Sequence, residues 1–465
     1  MMRGSRSIGF AFVAVIGALA LSACTGAFGV PSSLPARAVA PSRAAEFLHA
    51  GPQASKIAHI IIIIQENRSF NDLFMGYPGA TTAAYGYDSH NNKIALKPAG
   101  LEAHYDLEHS AKGFLVACNG TGKIPGTNCR MNGFSQETVT CGGSGQPPCP
   151  FKHPQYAYVP RDETVPYWDI AGQYVLADQT YSSAIDAASF SSHQYIIAGQ
   201  AESTVNIPLT QWGCGGGPTD KIARIGPQRQ LPWGNPIRPC FDDDTIGQEA
   251  DNAGISWAFY TSKIGRSGGI WSGYQANHYV YHGPDWKNDV ITPQTQFFND
   301  VANGKLRQIS WITPTAADSD HPGFGTKLGP MWVASLVNAV GESQYWNSTA
   351  IFIFWDDYGG LYDPEPPAYV DYDGLGMRMP LLIVSPYARK GYVSHVHYEH
   401  GSILRFVEDT FGLPRLAASD KRAKSPVNDC FDFKHPPRKF TMIPTVYGKE
   451  FFLHQPPDLR APDDD

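Results

Sequence analysis

The chain has 465 residues, 42% of them hydrophobic and 17% charged, with 36 Lys and Arg against 43 Asp and Glu. A net charge of −7 without a basic run leaves no electrostatic footprint for nucleic acid, which excludes DNA and RNA as partners. Roughly 440 residues remain beyond the N-terminal leader, long for one core, yet no linker divides them.

The first residues, Met1-Met2-Arg3-Gly4-Ser5-Arg6, precede an apolar run from Ile8 to Leu21 and then Leu21-Ser22-Ala23-Cys24. A basic start, a short apolar segment and small residues describe an export signal, too short for a spanning helix. The Leu-Ser-Ala-Cys ending resembles a bacterial lipobox, whose cysteine is acylated and becomes the first residue. This predicts a signal peptide over 1–23, a membrane anchor through lipid at Cys24 and an exported, cell-envelope location. Cleavage removes two arginines and no acid, moving the charge from −7 to −9. Thr25 to Ser55 is rich in Ala, Pro, Ser and Gly, so 24–55 reads as a tether. A single domain is expected over 56–460, with 461–465 a solvated acidic tail.

Ile60 to Ile64 has no polar alternation and suits a strand buried on both faces, ending at Gln65-Glu66-Asn67-Arg68. From this stretch alone, Glu66 and Asn67 either offer oxygen donors at a strand end or cap a turn with Arg68. Gly76 to Pro160 is polar, rich in Gly and Pro and carries four cysteines, which predicts a loop-rich rim. Pro166 to Thr180 has helical spacing. Ser189 before an apolar-periodic segment, with Gly199 near its end, fits an N-cap and C-cap pair. Asn277 to Pro284 reads as an aromatic, histidine-rich loop.

Strands are expected at Ile255–Tyr260, Gln308–Pro314, Thr349–Trp355 and Pro380–Pro386, and helices at Phe297–Gly304, Met331–Ser343 and Ser402–Phe411. This alternation predicts an α/β fold: a mostly parallel central sheet with helices on both faces. Setting Cys24 aside, close spacing makes Cys118–Cys129, Cys141–Cys149 and Cys214–Cys240 plausible bridges, with Cys430 left over.

Buried-type strands run into Glu66-Asn67 and Asp356-Asp357, and Asp318-Asp320-His321 follows a third. In a parallel sheet these ends share one edge, and carboxylates gathered there repel unless a cation or protons compensate. A metal held by oxygen donors is the economical answer.

Five blocks carry a resemblance: Gln65-Glu66-Asn67-Arg68-Ser69-Phe70, Ser189-Phe190-x-x-His193-Gln194, Ser319-Asp320-His321-Pro322, Trp355-Asp356-Asp357-x-Gly359-Gly360 and His400-x-Ser402-x-x-Arg405-Phe406-x-Glu408. In this order, spanning about Lys56 to Pro414, they resemble a bacterial phosphoesterase family of phospholipases C and secreted acid phosphatases within the alkaline-phosphatase superfamily. The resemblance implies a divalent metal, identity open, held by Glu66, Asn67, Ser189, Asp356 and Asp357, with Ser189 also the nucleophile. His109, His278 and His321 are the candidates for stabilising the phosphoryl group or protonating the leaving oxygen. His193 either joins the site or points into the core, and His400 and Ser402 cap the following helix.

The family's phospholipases usually carry threonine where Ser189 stands, whereas its acid phosphatases carry serine followed by Phe-x-x-His-Gln. The leading expectation is therefore a phosphomonoesterase acting through a phosphoserine. Phospholipase C activity on phospholipid is the alternative, and a non-catalytic binding lipoprotein the third reading.

Overall fold

The five-isoleucine run lies in the middle of the sheet, as β1 (His59–Gln65), and Ile60 to Ile64 are completely buried. β-Branched side chains are stiff and pack well on a pleated surface. Each of these isoleucines contributes about 1.5–3 kcal/mol on leaving water. The structure, a computed structural model, describes residues 53–142, 147–208, 212–262, 271–324, 326–458 and 460. The expected signal peptide, Cys24, most of the tether and the acidic tail lie outside the described residues.

The main sheet also contains β2 (Val175–Tyr181), β3 (Trp257–Tyr260), β4 (Val290–Ile291), β5 (Ile309–Ile312), β6 (Thr349–Trp355), β7 (Arg378–Val384), β8 (Tyr392–Ser394) and β9 (Tyr398–Glu399). Their order is β4-β3-β5-β1-β6-β7-β2-β8, with β9 also paired to β2. β7 runs antiparallel to β6 and β2, and the other pairings are parallel. The mixed α/β architecture with a mostly parallel sheet is as expected. One consequence positions the site: β1, β2, β3, β5 and β6 all end on one edge, where β7 begins.

The elements used below are α1 (Phe70–Phe74), α2 (Ala111–Cys118), α3 (Val165–Gln173), α4 (Ser189–Ala198), α5 (Gly329–Gly341), α6 (His400–Phe411) and α7 (Ala418–Arg422). Among the described residues no helix is long and apolar enough to cross a membrane. The three expected disulfides are present, and Cys430 is free and buried.

Two local expectations are corrected. The helical spacing over Pro166–Thr180 covers two elements: α3 ends at Gln173, and Val175–Tyr181 is a wholly buried strand. Apolar density from a strand buried on both faces continued the helical pattern across the boundary. The loop expected at Asn277–Pro284 contains a short helix, His278–His282, capped by the Asn277 side chain on the Val280 amide.

Candidate active site

Glu66 and Asp356 are brought together by register. Gln65 pairs with Trp355 across β1 and β6, and the Asp356 amide donates to the Gln65 carbonyl at 3.0 Å. The next residue on each strand is therefore a fully buried acid at the same height. Asn67 and Asp357 extend each pair, and the chain then turns sharply. Gly359 (φ 59°) lies so close to Asn67 that a Cβ would fall 2.4 Å from the Asn67 carbonyl oxygen, so the turn requires glycine. Its amide donates to Asp357 Oδ1 at 2.6 Å.

The third contribution comes from α4, reached by the loop after β2. Ser189 is the first helical residue rather than the cap; Ala188 occupies the cap position and makes no side-chain cap bond. The Ser189 hydroxyl instead donates to Glu66 Oε2 at 3.0 Å. His193, one turn on, places Nε2 2.6 Å from Glu66 Oε1 and 3.9 Å from Asp356 Oδ2. Ser192 Oγ lies 3.1 Å from Asp356 Oδ2 and 3.2 Å from the Ser189 carbonyl. His193 thus faces the cluster, and Ser192 was missed by sequence reasoning, although helical spacing from Ser189 puts both on one face.

His109 and His321 also come in. His109 donates from Nδ1 to the Leu107 carbonyl at 2.6 Å, so Nε2 accepts from Asn67 Nδ2 at 2.9 Å. His321 donates from Nδ1 to the Pro322 carbonyl at 2.5 Å, and its ring centroid is 6.3 Å from that of His109. Trp271 stacks on His321 with centroids 6.2 Å apart.

His278 is not brought to this cluster. Its side chain is 51% exposed and Nδ1 lies 2.8 Å from Asp242 Oδ1, a surface contact rather than one with the buried acids. The polar, aromatic neighbourhood that suggested a site belongs to an exposed helix. Asp318 and Asp320 support the strand ends: Asp320 accepts from Tyr167 at 2.7 Å and from Trp355 at 3.1 Å, and Asp318 from Thr315 at 2.7 Å. Ser402 completes the cap of α6, accepting from the Glu399 amide, and His400 is its first residue, held neutral because burial pushes its imidazole down to about 3.

Burial first, and the charge of Asp356 second, push the Asp357 carboxyl well above the usual range, and His109 pulls it back. Asp357 Oδ2 is buried without a hydrogen-bond partner among the described residues. Ligand atoms of Glu66, His193 and Asp356 lie within 4.8 Å of one another. The carboxylates gathered at this edge fit a divalent cation, which would offset the repulsion between them, with His193 close enough to ligate or to hydrogen-bond a ligand.

The chain is similar to several known proteins. Phospholipase C B of Mycobacterium tuberculosis (strain ATCC 25618 / H37Rv) is 25% identical over 445 residues, 83% of this chain and 80% of that protein. Non-hemolytic phospholipase C of Burkholderia pseudomallei (strain K96243) is 23% identical over 479 residues, 86% of this chain but 62% of that longer protein. Non-specific phospholipase C1 of Arabidopsis thaliana is 23% identical, covering 77% of this chain and 67% of its own. A solved protein of the alkaline phosphatase superfamily from Vibrio parahaemolyticus is 10% identical, covers 56% of this chain and 64% of its own, and superposes with a TM-score of 0.33. Residues 57–414 match the Phosphoesterase family, and over that span the chain belongs to it, a family of hydrolases acting on phosphoric ester bonds.

Proposed function

We propose that the chain is an exported, metal-dependent phosphoric ester hydrolase of the phospholipase C kind, releasing the phosphorylated headgroup from a phospholipid. The observation that carries the chemistry is the Ser189 hydroxyl, buried at the start of α4 and 3.0 Å from Glu66 Oε2. The names of the curated relatives favour phospholipid over a soluble monoester, reversing the leading expectation from the sequence.

Glu66, Asn67, Ser189, Asp356 and Asp357 would hold the cation, which supplies Lewis-acid charge to the phosphoryl oxygens and lowers the pKa of the serine hydroxyl. Ser189 Oγ forms a bond to phosphorus and the bond to the leaving glycerol oxygen breaks. The serine proton passes toward Glu66 Oε2, its hydrogen-bond acceptor. The leaving oxygen takes a proton from His321 Nε2, the ring being held through Nδ1 by the Pro322 carbonyl, and water then hydrolyses the phosphoserine. His109, whose Nδ1 proton is committed to Leu107 and whose Nε2 accepts from Asn67, instead orients the Asn67 amide.

A second reading, a phosphomonoesterase, is supported by Ser189-Phe190-x-x-His193-Gln194. Turnover of phosphatidylcholine vesicles against p-nitrophenyl phosphate decides between them. The phospholipase reading requires the larger kcat/KM on vesicles, and a preference for the monoester overturns it. Export is supported by three disulfides, which persist in oxidising compartments, and the anchor by Leu21-Ser22-Ala23-Cys24. Cys24→Ser should move the protein to the soluble fraction with turnover unchanged, and persistent membrane association would reject the anchor.

A further inference from the structure

We propose that His193, assisted by Ser192, is a positioning residue that holds the Glu66 and Asp356 carboxylates in their cation-binding arrangement, so the helix that presents the nucleophile also sets the cage around it. The proposal rests on the reading of this cluster as a metal site. Ser189, Ser192 and His193 occupy one face of α4 at positions i, i+3 and i+4, and each has a polar atom on a carboxylate of a neighbouring strand end. Glu66 is gripped at both oxygens from the same helix, Oε2 by Ser189 at 3.0 Å and Oε1 by His193 at 2.6 Å. Its carboxylate plane is thereby fixed relative to Ser189.

The distance separates this role from direct ligation. An imidazole nitrogen and a carboxylate oxygen on one ion, each at about 2.0–2.2 Å from it, stand about 2.9 Å or more apart. At 2.6 Å the contact between His193 Nε2 and Glu66 Oε1 is that of an N–H donating to a carboxylate. Hydrogen bonds to ligating carboxylates from such outer groups typically govern metal affinity about 10–100-fold. The helix position cannot slide, because α4 is buried along its whole length and closes on Gly199, whose carbonyl accepts from Ser419 at 2.9 Å.

The test is Mn²⁺ binding to the metal-stripped full-length protein, titrated by electron paramagnetic resonance, in His193→Leu, His193→Gln, Ser192→Ala and Asp357→Asn. A positioning role predicts about 10–100-fold weaker binding in His193→Leu and recovery to within a few-fold in His193→Gln, whose amide nitrogen can donate to the same oxygen. Ser192→Ala, which removes almost no volume, should weaken binding several-fold and carries the test if the leucine variant fails to fold. Wild-type affinity in both His193→Leu and Ser192→Ala overturns the proposal. So does a directly bound nitrogen in the wild-type Mn²⁺ spin-echo spectrum that His193→Gln abolishes, since that makes the imidazole a ligand. Wild-type affinity in Asp357→Asn instead removes the metal reading itself.

Discussion

Two groups of buried acids lie one strand apart and are stabilised by opposite means. At the ends of β1 and β6, Asp357 is crowded by Asp356 and faces the imidazole of His109. At the start of β7, Asp363 is equally buried, but Arg378 donates to it at 2.9 Å. That guanidinium also donates to the carbonyls of Asp178 and Thr81 and stacks on Phe70 at 4.5 Å. The same pairing recurs in Arg68 with Asp72, at 3.2 Å. Taking a carboxylate out of water costs several kcal/mol, and a paired, hydrogen-bonded guanidinium offsets much of it. At the β1–β6 edge no arginine plays that part among the described contacts, and the proposed cation would supply the compensation instead.

The largest effect falls on Ser189, the proposed nucleophile. Ser189→Ala should lower turnover by about three orders of magnitude or more with the circular dichroism spectrum unchanged, since a helix-capping role would cost only about 1 kcal/mol of stability. Rapid quenching with a labelled phosphoester, followed by peptide mapping, should place phosphate on Ser189, and label elsewhere would reject the assignment. Next, Asp357→Asn should remove most bound metal and activity together. Because the variant also relieves the repulsion from Asp356, the metal-stripped protein should melt no lower than wild type.

The arginine-paired region gives the reverse pattern. Arg378→Met strands Asp363 without its guanidinium and should cost about 3–5 kcal/mol in denaturant unfolding. Metal affinity of the molecules that remain folded should match wild type. A large loss of stability in Asp357→Asn together with a small one in Arg378→Met would invert the two roles.

The acid-bearing edge of the sheet was legible in the sequence because its signal is local: an apolar run of six in β6, Ala350 to Trp355, stops at two acids, and β1 stops at an acid and an amide. Parallel pairing then brings the ends together without further information. The disulfides were legible for a similar reason, each closing a short loop. What was not legible depends on which way a helix face turns. His193 lay equally well in the core or in the site until the sheet order placed β2 two strands from β6, which aims α4 at Glu66. His278 was misplaced because an exposed His-Tyr-Val-Tyr-His turn has the same composition as a phosphate-binding rim. The direction of β7 was hidden as well, since a strand buried on both faces reads as a continuous apolar run whichever way it runs.

The smallest effect concerns Glu408 in α6, a buried acid that faces both an arginine and a second acid. Burial and the neighbouring carboxyl of Asp420 in α7 push Glu408 up to about 9, with Arg415 pulling it back. The folded protein therefore keeps this proton up to about pH 9, whereas the unfolded chain releases it near the ordinary glutamate value. Between those limits the folded state binds the extra proton, so its stability falls as pH rises through that window. Glu408→Gln carries a neutral group of the same shape at every pH and removes that dependence. Its melting temperature should match wild type near pH 4 and exceed it by a growing margin toward pH 8. At each pH, metal affinity at the β1–β6 edge should equal that of wild type. A margin that shrinks with rising pH would show that Arg415 holds Glu408 charged in the folded protein, making this pair an ordinary salt bridge.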